Sequence, residues 1–163
     1  MEHLWSPWRS SYVREASQKD LADLFVELGK SSSDDEKNFV IHRSKTCFTV
    51  LNRYPYNLGH LLVAPYRAVP DLSGLDDEET ADLWKNVKEM TELLRGVFKP
   101  DGINIGINIG SAAGAGVPEH MHVHIVPRWT SDAGFITAIG NTRIHPGDLP
   151  SAYAALREGL KKA

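Results

Sequence analysis

Three histidines, His120, His122 and His124, alternate with apolar residues and form the part of the sequence best suited to chemistry. A period of two is typical of a β-strand with one buried face, on which successive side chains point to opposite sides. Imidazole can bind a metal, transfer a proton or attack an electrophile. The spacing alone leaves metal binding and phosphoryl chemistry about equally favoured. The least specific alternative is a row of surface histidines on a half-exposed strand.

A glycine-rich segment directly precedes the histidines. Residues 110–116 read Gly-Ser-Ala-Ala-Gly-Ala-Gly, and Asn108 comes just before them. Glycine lets backbone N–H groups approach an anion and curl around it. Because a nest of backbone donors suits a phosphate better than a metal ion, this segment favours phosphate chemistry over a three-histidine metal site.

The segments on either side of the glycine-rich run predict how the histidines are positioned. Isoleucines alternate over 103–109, which indicates a strand with Asn104 and Asn108 on its other face. The histidine strand is predicted at 120–128, antiparallel to the first, so that Asn108 reaches the histidine face. The core-facing residues of the histidine strand would be Met121, Val123 and Ile125.

One long helix is predicted before these strands. Asp76 can cap its start, and Glu79, three residues later, completes a capping box. Pro100 and Gly102 end the segment. Apolar residues at helical spacing predict one buried stripe, made of Leu83, Trp84, Val87, Met90, Leu94 and Val97.

The other predicted elements complete an α+β domain. They are a short helix with Leu21, Leu24, Phe25 and Leu28 that Gly29 closes, an exposed loop at 31–37, strands at 39–42, 46–51 and 60–64, a turn at 43–45, a loop at 52–59, and a helix from about 150 to 161. The prediction is an antiparallel sheet with one long helix packed on it. It forms a single domain over 1–163, with an N-terminal arm to about 37, a core over about 38–129 and a C-terminal extension from about 130.

Composition narrows the function classes. The net charge of −3 argues against a general nucleic-acid or membrane-surface binder, although a local nucleotide pocket remains compatible with it. Cys47 is the only cysteine, which rules out an internal disulfide and fits a reducing compartment. The sequence has neither an apolar run of ~18 residues nor a secretory signal pattern, so we expect a cytoplasmic protein without a membrane span.

With these motifs in view, the sequence resembles the histidine triad (HIT) family. The family signature, His-x-His-x-His followed by two apolar residues, is matched by the three histidines with Ile125 and Val126. Further similarity lies in the opening Leu-Trp-Ser-Pro-Trp-Arg and in residues 52–60, 65–67 and 104–129. The branch is similar to diadenosine polyphosphate hydrolases and phosphorylases. The resemblance implies a HIT-like α+β fold, a nucleotide substrate and a homodimer.

The resemblance also implies roles for the site residues. His122 would attack the α-phosphorus of a nucleotide and form a nucleotidyl-histidine, while His120, His124 and His60 would orient it, bind phosphate oxygens and assist the leaving group. Asn52 matches a ribose-binding position. The implied phosphate-binding set is Asn108, Gly110, Ser111 and Gly116. Trp129 matches a position near the nucleotide, with packing at the rim as an equally good interpretation.

One departure from the family concerns metal. Many bacterial relatives hold a structural zinc with a Cys-x-x-Cys and a histidine, but the matching positions here are Asp23, Val26 and Ala68. Because a thiolate site needs its cysteines, we predict no structural zinc. No cofactor is required by the sequence, and Mg²⁺ would bind through substrate phosphates, with few protein ligands.

The residues leave several functions open. Water as acceptor would make the protein a hydrolase, and inorganic phosphate would make it a phosphorylase. Nucleoside phosphoramidates are the alternative substrates within the family. A non-catalytic nucleotide-binding module and a three-histidine metalloenzyme are the alternatives outside this chemistry.

Overall fold

Five strands form an antiparallel sheet in the computed structural model, which describes residues 24–30, 32–130, 132, 139 and 147–162. The strands are β1 Val40–Arg43, β2 Cys47–Leu51, β3 Leu61–Pro65, β4 Gly102–Ile107 and β5 Val123–Arg128. Their order across the sheet is β1-β2-β3-β5-β4, and every pairing is antiparallel. The predicted antiparallel pairing of the strand before the glycine-rich run with the histidine strand is therefore confirmed.

Helices accompany both faces of the sheet. They are α1 Leu24–Lys30, α2 Asp35–Asn38, α3 Asp77–Phe98 and α4 Leu149–Leu160, and two short 3₁₀ turns lie at Leu72–Gly74 and Ser111–Ala113. The predicted long helix on an antiparallel sheet is confirmed by α3. None of the helices among the described residues is both long enough and apolar enough to span a membrane.

The main core lies between the sheet and helices α3 and α4. It contains Val63, Met121, Val123 and Ile125 from the sheet side and Leu83 from α3, all of them almost completely buried. This confirms that the apolar residues between the histidines face the core. The histidines consequently project from the opposite face of the sheet, because alternate residues of a strand point to opposite sides.

The capping box at the start of α3 forms as predicted. The Asp76 carboxylate accepts a hydrogen bond from the Glu79 N–H at 2.8 Å, and the Glu79 carboxylate accepts one from the Asp76 N–H at 3.0 Å. The predicted stripe is wrong at Trp84, which is 45% exposed. Trp84 points about 100° away from the buried Leu83 around the helix axis and lies partly in solvent. The polar residue Asn86 is buried on the sheet side, where its side-chain amide oxygen accepts a hydrogen bond from the Thr49 hydroxyl at 2.7 Å.

Helix α1 covers the histidine face of the sheet. Phe25 is buried there in a second apolar cluster with Phe48, Val50 and Leu62. The predicted helix exists but does not end at Gly29, which remains helical. A Cβ at this glycine would lie 3.0 Å from the Tyr66 ring, so a residue without a side chain lets the helix pack closely. Leu21 lies outside the described residues.

Arg43 connects α1 to the rest of the molecule. Its guanidinium donates to the carbonyl oxygens of Leu28 at 2.7 Å and Gly29 at 3.1 Å, and it forms an ion pair with Asp35 at 2.7 Å. The loop predicted at 31–37 is therefore wrong in its second half, because Asp35 begins the one-turn helix α2. The ion pair with Arg43 holds that turn against β1.

Two strand predictions are corrected at their ends. The histidine strand begins at Val123 and not at 120, because the N–H of Met121 donates to the Val69 carbonyl rather than to a neighbouring strand. The strand predicted at 103–109 runs over Gly102–Ile107. Ile105 and Ile109 are 45% and 47% exposed, since β4 lies at the edge of the sheet.

Candidate active site

The histidines predicted to act together do meet, although they come from separate parts of the chain. His60 immediately precedes β3, His120 and His122 precede β5, and His124 lies within β5. The ring centroids of His122 and His124 are 4.8 Å apart, and those of His60 and His124 are 5.2 Å apart. Three imidazoles therefore form a continuous row, with His124 in the middle.

The tautomer of His122 is set by the backbone. Its Nδ1 lies 3.0 Å from the carbonyl oxygen of His120, and because a carbonyl only accepts, Nδ1 carries the proton. Burial lowers the pKa of His122, so the ring is neutral near pH 7. The Nε2 lone pair is then available. A neutral imidazole with an unprotonated Nε2 beside a cavity can act as a nucleophile.

His120 has a different environment from His122. Its Nε2 donates to the Pro65 carbonyl at 2.8 Å, and its side chain is fully buried. Its Nδ1 has no hydrogen-bond partner among the described residues. The Phe25 ring meets the His120 ring edge-on, with the ring centroids 5.3 Å apart. Burial lowers the pKa of His120. The structure thus places this side chain behind the site, where it anchors the carbonyl that holds His122.

His60 sets the tautomer of His124. The N–H of Tyr56 donates to His60 Nδ1 at 3.0 Å, so His60 carries its proton on Nε2. That Nε2 lies 3.0 Å from His124 Nδ1, which must accept. Burial, together with neighbouring His124 and His122, holds the pKa of His60 well below its ordinary value. A neutral His124 therefore carries its proton on Nε2 and is a hydrogen-bond donor.

A cavity lies beside these rings. Its polar lining comes from His122, His124, Asn52, Asn38, Arg53, Tyr54 and Tyr56, together with the backbone of Gly114 and Gly116. Its apolar lining comes from Leu24, Phe25, Leu28, Val50, Leu51, Leu62 and Val117. The helical spacing of the apolar residues of α1 predicted a short helix but no role for it in the site. Their position above the histidines depends on the docking of α1 against the sheet.

The glycine-rich segment folds partly on itself. Gly110 and Gly114 have φ of 77° and 87°, conformations that favour glycine. The N–H groups of residues 113, 114 and 115 bond to carbonyl oxygens within the segment. Gly114 and Gly116 line the cavity, whereas Gly110 and Ser111 are not among its described lining residues. The predicted nest of backbone N–H donors is therefore only partly formed.

Asn52 contacts His60 directly. Its amide nitrogen lies 3.2 Å from His60 Nδ1, and its amide oxygen accepts from the Tyr54 N–H at 2.9 Å. Trp129, by contrast, lines neither the cavity nor the groove described next, as far as the described residues show. Its backbone N–H donates to Asp132 at 3.2 Å.

A second opening lies on the far side of His124, along strands β4 and β5. We call it the β4–β5 groove, and it is lined by Tyr56, Asn104, Ile105, Gly106, Asn108, His124, Val126 and Arg128. The Tyr56 ring stacks on the His124 ring with centroids 5.8 Å apart and lies tilted against the His60 ring at 4.7 Å, and it borders both the cavity and the groove. Asn108 is thus brought to the histidine face, as predicted, but on the side away from His122.

The residues present do not fit a structural zinc. Within the described part of the chain, no group of three or more His, Cys, Asp or Glu side chains is arranged to hold a metal ion. Val26 and Ala68, which match two of the family's zinc-ligand positions, have no ligating atom. Asp23 lies outside the described residues. The absence of zinc stays a prediction.

The sequence matches one family model and several curated proteins. A family model, the HIT domain, matches residues 33–131. AP-4-A phosphorylase of Mycobacterium tuberculosis is 42% identical over 153 residues, which cover 90% of this chain and 77% of that protein. The asymmetrical bis(5'-nucleosyl)-tetraphosphatase of Schizosaccharomyces pombe is 42% identical over 93 residues, 57% of this chain and 50% of its own length.

A solved structure agrees with the sequence matches. The zinc-bound histidine triad family protein of Mycobacterium smegmatis superimposes with a TM-score of 0.68 at 28% identity, over 85% of this chain and 93% of that one. The antiparallel sheet with its helices is therefore the fold of that protein.

Proposed function

This chain belongs to the HIT family, and from that premise we propose that it cleaves dinucleoside polyphosphates by transferring a nucleotidyl group to His122. The observation that carries the proposal is the state of His122. Its Nδ1–H is held by the His120 carbonyl at 3.0 Å, which leaves Nε2 unprotonated, and His122 lines the cavity. The relative that shares 42% identity over 90% of this chain is named a phosphorylase of such a dinucleotide.

In the first step, the Nε2 lone pair of His122 forms a bond to the α-phosphorus. The bond from that phosphorus to the bridging oxygen breaks, and the leaving nucleotide takes its electron pair. The N–H at Nε2 of His124 donates a hydrogen bond to the departing oxygen, where negative charge develops. His122 keeps its Nδ1 proton on the His120 carbonyl.

In the second step, an oxygen of inorganic phosphate or water attacks the same phosphorus. The bond from phosphorus to Nε2 breaks and its electron pair returns to His122. With phosphate, the acceptor's proton stays on the new nucleoside diphosphate. With water, one proton is released to solvent.

The cavity walls suit a nucleoside. Leu24, Phe25 and Leu28 of α1 provide an apolar surface for the base, while Gly114 and Gly116 lie at the phosphate end. The contacts of Asn52 with His60 and Tyr54 support an orienting role in addition to the ribose contact that its family position implies. No described contact supports a binding role for Gly110, Ser111 or Trp129, and these remain sequence-based proposals.

The proposal extends to metals, assembly and location. No structural zinc is needed, because Phe25 packing and the Arg43 contacts hold α1. Mg²⁺ would act only through substrate phosphates. A homodimer is proposed on the family resemblance alone. Cys47 is a buried free thiol, and burial raises its pKa to about 11. A free thiol is compatible with a cytoplasmic location.

Incubation with diadenosine tetraphosphate, with and without inorganic phosphate, tests the function. ADP plus ATP formed only with phosphate identifies a phosphorylase, and AMP plus ATP without phosphate identifies an asymmetric hydrolase. ADP alone without phosphate contradicts attack at the α-phosphorus. If no cleavage occurs under either condition, the proposal is wrong, and nucleoside phosphoramidates are the next substrates to assay.

A further inference from the structure

The β4–β5 groove has no part in the attack by His122, yet it adjoins the same histidine row. His124 and Tyr56 line both the groove and the cavity that contains His122. Leu62 pairs with His124 on one side of β5 and Gly106 pairs with it on the other. His124 therefore stands between the cavity and the groove.

Beside the apolar Ile105 and Val126, the groove is lined by three polar side chains that suit a phosphate. Arg128 supplies a guanidinium, and Asn104 and Asn108 supply amides. The Asn108 amide makes no hydrogen bond within the described part of the chain. Asp132 binds Arg128 at 2.6 and 3.0 Å, but it is not among the described lining residues of the groove. The Nη1 of Arg128 donates a hydrogen bond to the side-chain oxygen of Asn104 at 3.0 Å.

Gly106 keeps the groove open beside His124. A Cβ built at this position meets no atom within 4 Å, and its backbone conformation is one that other residues adopt. On β4 its register partner is His124 itself. A side chain here would enter the groove next to the His124 ring.

The chemistry of two successive displacements links this groove to one ligand. In phosphoryl transfer the attacking and leaving atoms are roughly in line through phosphorus. The first leaving oxygen therefore lies opposite Nε2 of His122. The acceptor that later displaces Nε2 must attack from that same side, so the leaving nucleotide and the acceptor occupy one place in turn.

Resting on the proposed function, we propose that the β4–β5 groove is this shared place. It holds the terminal phosphates of the leaving nucleotide in the first step and inorganic phosphate in the second. Arg128, Asn104 and Asn108 bind the phosphate oxygens, and the groove thereby favours phosphate over water as acceptor. The nucleotidyl group on His122 remains in the cavity throughout.

A filled groove provides the first test. Gly106→Leu is compared with Gly96→Leu, which also has no atom within 4 Å of its Cβ and lies on the exposed side of α3, outside both the cavity and the groove. We expect Gly106→Leu to raise the KM for inorganic phosphate by about tenfold or more in diadenosine tetraphosphate cleavage. Affinity for AMP, which needs only the cavity, should change by less than about twofold in both variants.

The outcomes separate the two proposals. If the wild-type protein cleaves no dinucleotide, both proposals are overturned. If it cleaves the dinucleotide and Gly106→Leu behaves like Gly96→Leu, only the groove assignment is wrong. If Gly106→Leu weakens AMP binding as much as it weakens phosphate binding, the groove assignment is also wrong, because the substitution would then disturb the cavity. If water is the acceptor, the preference for phosphate is overturned, and the KM for diadenosine tetraphosphate in the same comparison then tests whether the groove holds the leaving phosphates.

Charge provides the second test. Arg128→Gln alone would leave the Asp132 carboxylate, whose side chain is only 9% exposed, without its ion pair. We therefore compare Arg128→Gln/Asp132→Asn with Asp132→Asn alone. The double variant should show a KM for phosphate about tenfold higher than that of the single variant. Equal KM values would remove Arg128 from the acceptor site.

Discussion

The Nδ1 atom of His122 lies 3.0 Å from the carbonyl oxygen of His120, two residues earlier in the chain. A main-chain oxygen thus selects the tautomer of the proposed nucleophile. Because every residue has a carbonyl, this hydrogen bond depends on the backbone path before β5 and not on a particular neighbouring side chain. The His120 side chain supports that path through its hydrogen bond to the Pro65 carbonyl at 2.8 Å.

Replacing His122 with alanine should abolish nucleotidyl transfer without unfolding the protein. The proposed nucleophile is removed, while the apolar core on the other face of the sheet is unchanged. We expect turnover to fall by about 10⁴-fold or more. Rapid denaturation followed by mass spectrometry should detect a nucleotidyl adduct in the wild type only. An adduct on the variant, or retained turnover, would refute the mechanism.

Two substitutions of His60 should differ from each other. His60→Phe keeps a ring but loses the hydrogen bonds to Tyr56, Asn52 and His124, so His124 is no longer oriented, and we expect a rate loss of about 10²-fold. His60→Gln can still accept from the Tyr56 N–H and donate to His124, and should recover part of that loss. The readout is turnover at saturating substrate. Equal losses would show that His60 contributes packing alone.

Formation of the nucleotidyl intermediate should persist in mild acid. A protonated Nε2 has no lone pair, so the reaction requires neutral His122. Because burial lowers the pKa of His122, protonation occurs below the usual imidazole value of about 6.5. Single-turnover rates should therefore stay constant as the pH falls through 6.5 and decline only at lower pH. A half-maximal rate at or above pH 6.5 would contradict this assignment.

Asp82 should matter for stability and not for catalysis. Its carboxylate accepts from Ser44 Oγ at 2.8 Å, Thr46 N at 2.7 Å and Thr46 Oγ1 at 2.9 Å, on the helix side of the sheet. Burial opposes ionisation, but these hydrogen bonds outweigh it and lower the pKa of Asp82. Asp82→Asn should reduce the free energy of unfolding by about 1.5–3 kcal/mol.

Exposed Asp77, in the first turn of the same helix, provides the control for Asp82. Asp77→Asn removes only a favourable interaction with the helix dipole, of about 0.3–1 kcal/mol. Urea unfolding at pH 7 measures both variants. Equal losses would mean that the hydrogen-bonded cluster around Asp82 adds nothing beyond its charge.

Purified protein should contain no stoichiometric structural zinc. Val26 and Ala68 carry no ligating atoms, and α1 is held by apolar packing and by Arg43. Elemental analysis after dialysis against a chelator measures this directly, and thermal stability should not change after the treatment. One tightly bound zinc per chain would contradict the prediction.

Local sequence patterns were enough to predict several features of the fold. The alternation around His122 predicted that Met121 and Val123 face the core, and both are buried there. The capping box at Asp76 was predicted as well. These features depend on residues close together in the chain, whose relative directions follow from the period of a strand or a helix. The helical period does not decide which of two adjacent apolar residues is buried, so Trp84 was wrongly included in the predicted buried stripe.

Contacts between distant segments decided the rest. His60 and His124 are 64 residues apart, and only the pairing of β3 with β5 brings their rings together. The apolar wall from Phe25 exists because α1 docks over the histidines, and Ile105 is exposed because the strand order leaves β4 at an edge. No local period encodes such relationships. The sequence alone therefore determined which residues could do the chemistry, whereas packing between distant elements determined the tautomer of His124, the cavity and the groove beside it.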